Sequence, residues 1–368
     1  MKKIRFISAM LVVLFPFLLQ AQGSGAGISF VSMAGRIAMP DSQAYHLPGE
    51  ARLKMGGLEQ LVMNRKAGRV VLGLTKQGRP VQAFYFPGTS QKNALVIGGM
   101  HGSELSSIAV AEEIIELLSD GVVPYYNVII VPSLFPDNAA LAMTARSKTN
   151  LGRYTTPSAA DPNRQMPALG KAFDHSHPYD LHGREMEQEN QWLIQMIQSY
   201  NPTRIANLHA IKDPSKAGIY ADPRTDCRGH ALGFSSDSSL AVDMAGFIQA
   251  HGGSVPGNGI GCKPTALYYN DPPAAPAGSI QKRNLQGSPL PNNRGFGVSL
   301  GSWASTGICE GGNSGYSRHA IRLITIEFPG YKGPDFFSAG EERNACLSNI
   351  RLYALSVASM FLSAKYEE

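Results

Sequence analysis

The sequence predicts an α/β fold: a mixed, mostly parallel twisted sheet flanked by helices. Three observations carry that prediction. Short runs such as "ALVI", "NVIIV" and "RLITI" are apolar on both faces, the pattern of strands covered from both sides. Segments with apolar residues at helical spacing alternate with them. Hydrophobic residues make up 43% of the 368, enough for one large α/β domain or two modest ones.

The elements follow in order. Residues 1–21 have the features of a secretory signal, with a positive start at Lys2, Lys3 and Arg5, an apolar stretch from Phe6 to Leu19, and a weak small-residue cleavage site ending at Ala21. The stretch is too short to span a bilayer and contains Pro16. No cysteine follows it closely, so no lipid anchor is expected. The expectation is a soluble, exported protein, periplasmic or extracellular. Without the signal's three basic residues the balance is 30 basic against 28 acidic, or +2 rather than the full chain's +5. There is no run of five basic residues, which argues against a nucleic-acid partner.

After an N-terminal segment (22–66), "RVVLGLT" (69–75) and "VQAFYF" (81–86) predict an antiparallel hairpin. "ALVIGG" (94–99) predicts a strand leading into a helix over 104–119. "NVIIVPS" (127–133) and "RIANLHA" (204–210) predict strands, and "ENQWLIQMIQSY" (189–200) and "LAVDMAGFIQAHGG" (240–253) predict helices. The stretch 252–315, rich in Gly, Pro, Ser and Asn, predicts long ordered loops. A strand over 321–330 and a helix over 340–363 close the chain. Cys227, Cys262, Cys309 and Cys346 form no C-x-x-C pair. In an exported chain they predict one or two disulfides, with the pairing open.

Polar groups able to bind metal collect at the strand ends. His101 and Glu104 follow the strand at 94–99, His209 ends the strand at 204–210, and Glu327 ends the strand at 321–330. Buried charge without a partner is costly, so these residues call for a shared explanation. Two histidines and a carboxylate holding one Zn²⁺ per chain, with a further glutamate as general base, supply one. Hydrogen-bonded core histidines are the competing account. The H-x-x-E pattern alone does not decide, because "HGRE" (His182–Glu185) repeats it; that copy has polar flanks and no strand to deliver it. Between the half-sites, Asn163 and Arg164 follow an Asp-Pro turn. Arg164 can fork onto a carboxylate while Asn163 adds a donor, and Arg146 could face an oxyanion; a surface ion pair is the alternative for each arginine.

The ordered set "HGSE", "PDN" (136–138), "DPNR" (161–164), "LHA" (208–210) and "TIEF" (325–328) resembles the zinc carboxypeptidase family. The resemblance implies a catalytic domain over 67–365, zinc ligands His101, Glu104 and His209, and Glu327 as general base. It implies Arg146 as oxyanion stabiliser, Asn163 and Arg164 as a clamp for a terminal carboxylate, and Asp161 as the carboxylate orienting His101. "GLTKQGRPV" (73–81) and "GFGVSLGSWAS…ITIEFPG" (295–330) are similar to a murein peptide amidase subgroup. This implies hydrolysis of cell-wall peptides such as γ-D-glutamyl-diaminopimelate beside a free carboxylate. A general secreted carboxypeptidase for L-amino-acid ends, or an inactive cell-envelope binding module, are the alternatives. The chain has Gln165 and Met166 where the family usually has Asn and an aromatic, and Tyr268, Tyr269 and Tyr316 are candidates for an active-site tyrosine. The expected partner is a small peptide or muropeptide, with no membrane span after signal removal.

Overall fold

The computed structural model describes residues 56–144, 151–155, 160–232, 235–258, 285–286, 297–309 and 316–367. Arg146, Cys262, Tyr268, Tyr269 and the signal segment lie outside them.

In chain order the elements are α1 (Gly56–Met63), β1 (Gly68–Leu74), β2 (Pro80–Phe86), β3 (Asn93–Ile97), α2 (Leu105–Ser119), β4 (Asn127–Val131), α3 (Pro136–Thr144) and α4 (Gln188–Tyr200). Then come β5 (Arg204–Ile211), β6 (Gly218–Ala221), α5 (Ser235–Ala250), β7 (Leu285–Gln286), β8 (Gly297–Val298), the one-turn α6 (Leu300–Ala304), β9 (Arg322–Pro329) and α7 (Glu341–Ser356), which ends in a π turn. Seven strands form one sheet in the order β1-β2-β4-β3-β5-β9-β6. The central β4-β3-β5-β9 are mutually parallel. β1 pairs with β2, β2 with β4, and β6 with β9, all antiparallel. Only β2 and β6 therefore run against the common direction, and the sheet is mixed and mostly parallel, as expected.

Alternation along the strands sends side chains to two cores. Val96, Ile130, Ala206, Leu208, Ile324 and Ile326 face α2, α5 and α7 through Val110, Ile114, Met244 and Tyr353. Leu95, Ile97, Ile129, Val131, Ile205 and Leu323 face α1, α4 and α6 through Leu58, Trp192, Leu193 and Trp303. His209 and Glu327, in step with Ile205 and Leu323, belong to this second face.

The differences from the expectation are local. α5 begins at Ser235, ahead of the apolar run at 240. α7 gives way to a π turn from Val357. α1, α3, β6 and α6 were not foreseen; β6 has only four residues ("GIYA"), too few for a period to register. α6 lies inside the stretch expected to be loop. Cys227 pairs with Cys309 across 82 positions, and Cys346 is a free thiol. Among the described residues no helix is long and apolar enough to cross a membrane.

Candidate active site

β3 runs out into Gly98 and Gly99, and the chain must turn sharply against the loop after β4. Gly99 has φ +64°, and a side chain there would put a Cβ 2.9 Å from Ser133 Cα. At Gly102 a Cβ would meet Ala139 N of α3 at 2.3 Å. The glycines let His101 swing over the carboxyl end of the sheet and let Glu104 start α2. Glu104 occupies the N-cap position yet makes no side-chain cap. Its carboxylate turns to the histidines instead. Oε1 lies 2.8 Å from His101 Nδ1, and Oε2 lies 2.9 Å from His209 Nδ1 and accepts the Ala210 N–H at 3.1 Å. All three residues are buried, and their ligand atoms lie within 4.8 Å of one another.

The outer contacts hold both rings. His101 Nε2 meets Asp161 Oδ1 at 2.9 Å, the same oxygen that accepts Asn163 N–H at 2.9 Å. His209 Nε2 stands 3.3 Å from Asn163 Nδ2, while Asn163 Oδ1 accepts the Leu300 N–H at 2.9 Å. Arg153 donates to Glu104 Oε1 at 3.0 Å and to Asp161 Oδ2 at 3.3 Å. The carboxylate–histidine pairing of Asp161 and His101 is the kind that fixes a ligand ring's tautomer. The donor set fits a cation: two imidazole nitrogens and a carboxylate oxygen already point at one another, and each ring's second nitrogen is held from outside.

Charge reinforces this. Burial alone would lower the pKa of His101, but the carboxylates of Glu104 and Asp161 outweigh it and raise it to about 9. Glu104 is held well below the carboxylate range by His101 and His209 despite its burial. His101 similarly holds Asp161 low against burial. Glu327 goes the other way. Burial raises its pKa, with Glu104 adding to the effect and His209 opposing it. Glu327 is the direct register partner of His209 on the neighbouring strand. Its carboxylate accepts no hydrogen bond from the described residues, which leaves its oxygens free for a water.

Residues 63–214 match the family model for zinc carboxypeptidases. That stretch, less than half of the chain, is similar to the zinc carboxypeptidase family. The match takes in His101, Glu104, Asp161, Asn163, Arg164 and His209 and stops short of Glu327. The family is one of hydrolases acting on peptides, and the His101–Glu104–His209 cluster can hold a metal ion. Structures that align with this chain include a metallo-carboxypeptidase from Pseudomonas aeruginosa in complex with (2-guanidinoethylmercapto)succinic acid. That alignment has 16% identity, covers 83% of this chain and 68% of that one, and has a TM-score of 0.43. Another is bovine thrombin-activatable fibrinolysis inhibitor in complex with tick carboxypeptidase inhibitor, at 13% identity, 83% and 95% coverage and a TM-score of 0.44. No curated protein matches the sequence.

The structure thus brings His101, Glu104, His209, Asp161, Asn163 and Glu327 together. Arg164 follows Asn163 half-buried, donating to its carbonyl at 2.5 Å; burial lowers its pKa, with Asp161 opposing. Gln165 and Met166 are not substrate groups here. Both are buried, Gln165 bonded by Asn190 Nδ2 at 3.2 Å and Met166 packed in the second core. Tyr316 packs on the same core. The rival "HGRE" copy sits in a turn with His182 and Glu185 both exposed. Sequence reasoning missed Arg153 and Asp222. Arg153 was one of several arginines in a polar loop, with nothing to separate it from Arg146. Asp222 follows a strand too short to notice. Thr325 Oγ1 donates to it at 2.7 Å.

Proposed function

We propose that the chain is an exported zinc-dependent hydrolase that cuts a peptide or γ-D-glutamyl amide bond next to a free C-terminal carboxylate. Its substrates are cell-wall peptides such as γ-D-glutamyl-diaminopimelate. The observation that carries this reading is the convergence of His101, Glu104 and His209, with Glu327 alongside His209 and open to a water.

In this reading His101, Glu104 and His209 hold one zinc ion, which supplies Lewis acidity toward the scissile carbonyl and the attacking water. Asp161 fixes the His101 ring, and Asn163 braces His209. Glu327 takes the proton from the water and returns it to the leaving amine; its raised pKa makes it a better base than an ordinary carboxylate and a competent acid afterwards. Arg164 and Asn163 engage the terminal carboxylate, and the role of oxyanion stabiliser goes to Arg146 on the family resemblance alone. The Cys227–Cys309 disulfide supports export, since such bonds persist in oxidising compartments.

The test is mass-spectrometric digestion of defined muropeptides beside ordinary peptides, with and without a strong chelator. Release of a single terminal residue, faster from γ-D-glutamyl-diaminopimelate ends and abolished by chelation, is the expected result. A preference for L,L ends would make the enzyme a general secreted carboxypeptidase. Full activity in metal-free protein would end the zinc reading.

A further inference from the structure

The first turn of α3 is a platform that two loops press against. Gly102, between His101 and Glu104, and Gly152 both meet Asn138. A Cβ on Gly102 would stand 2.4 Å from the Asn138 Cβ, and one on Gly152, where φ is +85°, would stand 2.2 Å from the Asn138 carbonyl oxygen. The second approach brings Arg153 up beside the turn that carries His101 and Glu104. Beyond it, Thr155 N–H donates to Ala160 O at 3.1 Å, so the chain folds back toward Asp161. Arg153 therefore reaches two carboxylates, its own side chain 32% exposed and theirs buried.

The guanidinium spends one arm on each. Nη1 donates to Glu104 Oε1 at 3.0 Å and Nη2 to Asp161 Oδ2 at 3.3 Å. The same two carboxylates face the two nitrogens of the His101 ring, at 2.8 and 2.9 Å. His101, Glu104, Arg153 and Asp161 thus form a closed ring of polar contacts. Each candidate ligand is also held from outside the trio. His101 Nε2 has Asp161, and His209 Nε2 has Asn163. Glu104 makes no cap bond at the start of α2; its Oε2 has the Ala210 N–H, and its Oε1 has Arg153. No other described residue outside the trio bonds to Oε1.

We propose that Arg153 is a positioning residue for the metal: it locks the Glu104 carboxylate, and through Asp161 the His101 ring, in the arrangement that binds zinc. The proposal rests on the hydrolase reading above and deepens it. A guanidinium this close to the site also repels an incoming cation. That charge is balanced on the spot by two carboxylates and screened through its exposed part. Without Arg153, Glu104 Oε1 loses its outside donor, the carboxylate is free to turn, and Asp161 loses a brace. Outer partners of metal ligands are typically worth about ten- to a hundredfold in metal affinity, so fixing outweighs repulsion. With both arms on carboxylates, Arg153 acts through Glu104 and Asp161 rather than on substrate.

The test is the zinc dissociation constant, measured at fixed pH by competition with a chromophoric chelator, with folding checked by circular dichroism. Arg153→Met should bind zinc about ten- to a hundredfold more weakly than wild type. Arg153→Lys keeps the charge but has no fork to span two carboxylates, so it should recover only part of that loss. Arg153→Met combined with Asp161→Asn should lose less than the product of the two single losses, because both residues act on one ring. Unchanged or tighter binding in Arg153→Met overturns the proposal. Full recovery by lysine, or losses that simply multiply, overturns the two-armed link. If Arg153→Met does not fold, Arg153→Lys decides: weaker binding supports the proposal, and wild-type affinity overturns it. All of these outcomes leave the hydrolase reading intact, whereas wild-type protein that binds no zinc overturns both.

Discussion

His101 has a carboxylate on each ring nitrogen, Glu104 at 2.8 Å and Asp161 at 2.9 Å, so exchanging it for a neutral core residue removes one partner from each of two buried anions. His101→Ala should leave the protein unable to retain zinc through dialysis, while His182→Ala, on an exposed turn, should retain it. The opposite pattern in metal analysis would put the site at the wrong H-x-x-E. Glu327→Gln should keep zinc and the melting temperature but lose most turnover, because an amide cannot accept the water's proton. Near-normal kcat would remove Glu327 from the mechanism. Arg153 adds two charge-assisted bonds to buried carboxylates from a partly exposed position. Arg153→Met should destabilise the metal-free protein by about 1–3 kcal/mol, seen as a lower denaturant midpoint. These residues also show what the sequence could disclose. His101, His209 and Glu327 each end a strand, so their apolar flanks betray them. Asp161 took the family resemblance to pick out. Arg153 and Asp222 were hidden because their contacts cross 49 and 103 positions of chain and depend on how loops and a four-residue strand fold back.

At the scale of elements, the core strands were legible because burial on both faces leaves a continuous apolar run. β1 and β2 were legible because their join is a turn signal. What could not be seen was short or started abnormally. α3 opens on Pro136, which is compatible with a first helical turn but equally with a loop. α6 is a single turn whose cap, Ser299 accepting from Ser302 N–H, matters more than its composition. α2 carries a testable strain of its own. Burial, together with Asp335 and Glu116, raises Glu112 to about 7. A carboxyl with a raised folded-state pKa keeps its proton longer in the native protein than in the unfolded chain. Its contribution is therefore fully present below about pH 4.5 and lost as pH rises through about 7. Glu112→Gln removes the ionisation. The variant should melt above wild type at pH 8 and lose that advantage at pH 4.5. An advantage of the same size at both pH values would mean that the gain does not come from the charge.

The whole molecule is divided unevenly by its disulfide. Cys227 lies just past Asp222, and Cys309 just past α6. Between them run the backbone bonds Thr225 N–H to Ser305 O at 3.0 Å and Gly307 N–H to Thr225 O at 2.8 Å. The covalent bond fastens the segment after β6 to the turn after α6. None of His101, Glu104, His209 or Glu327 lies within the 82-position loop it closes. Their supports are sheet register and the Glu104 and Asp161 contacts, which a thiol reductant does not touch. On the chain-entropy account a loop of this size is worth about 4 kcal/mol, enough to lower the melting temperature by several degrees. Cys227→Ser/Cys309→Ser should therefore melt lower than wild type yet bind zinc with unchanged stoichiometry below the transition. Loss of zinc from the variant would show that the metal site depends on the loop the disulfide closes. An unchanged melting temperature would show that the bond is not formed in the native protein, and would remove the main structural support for export.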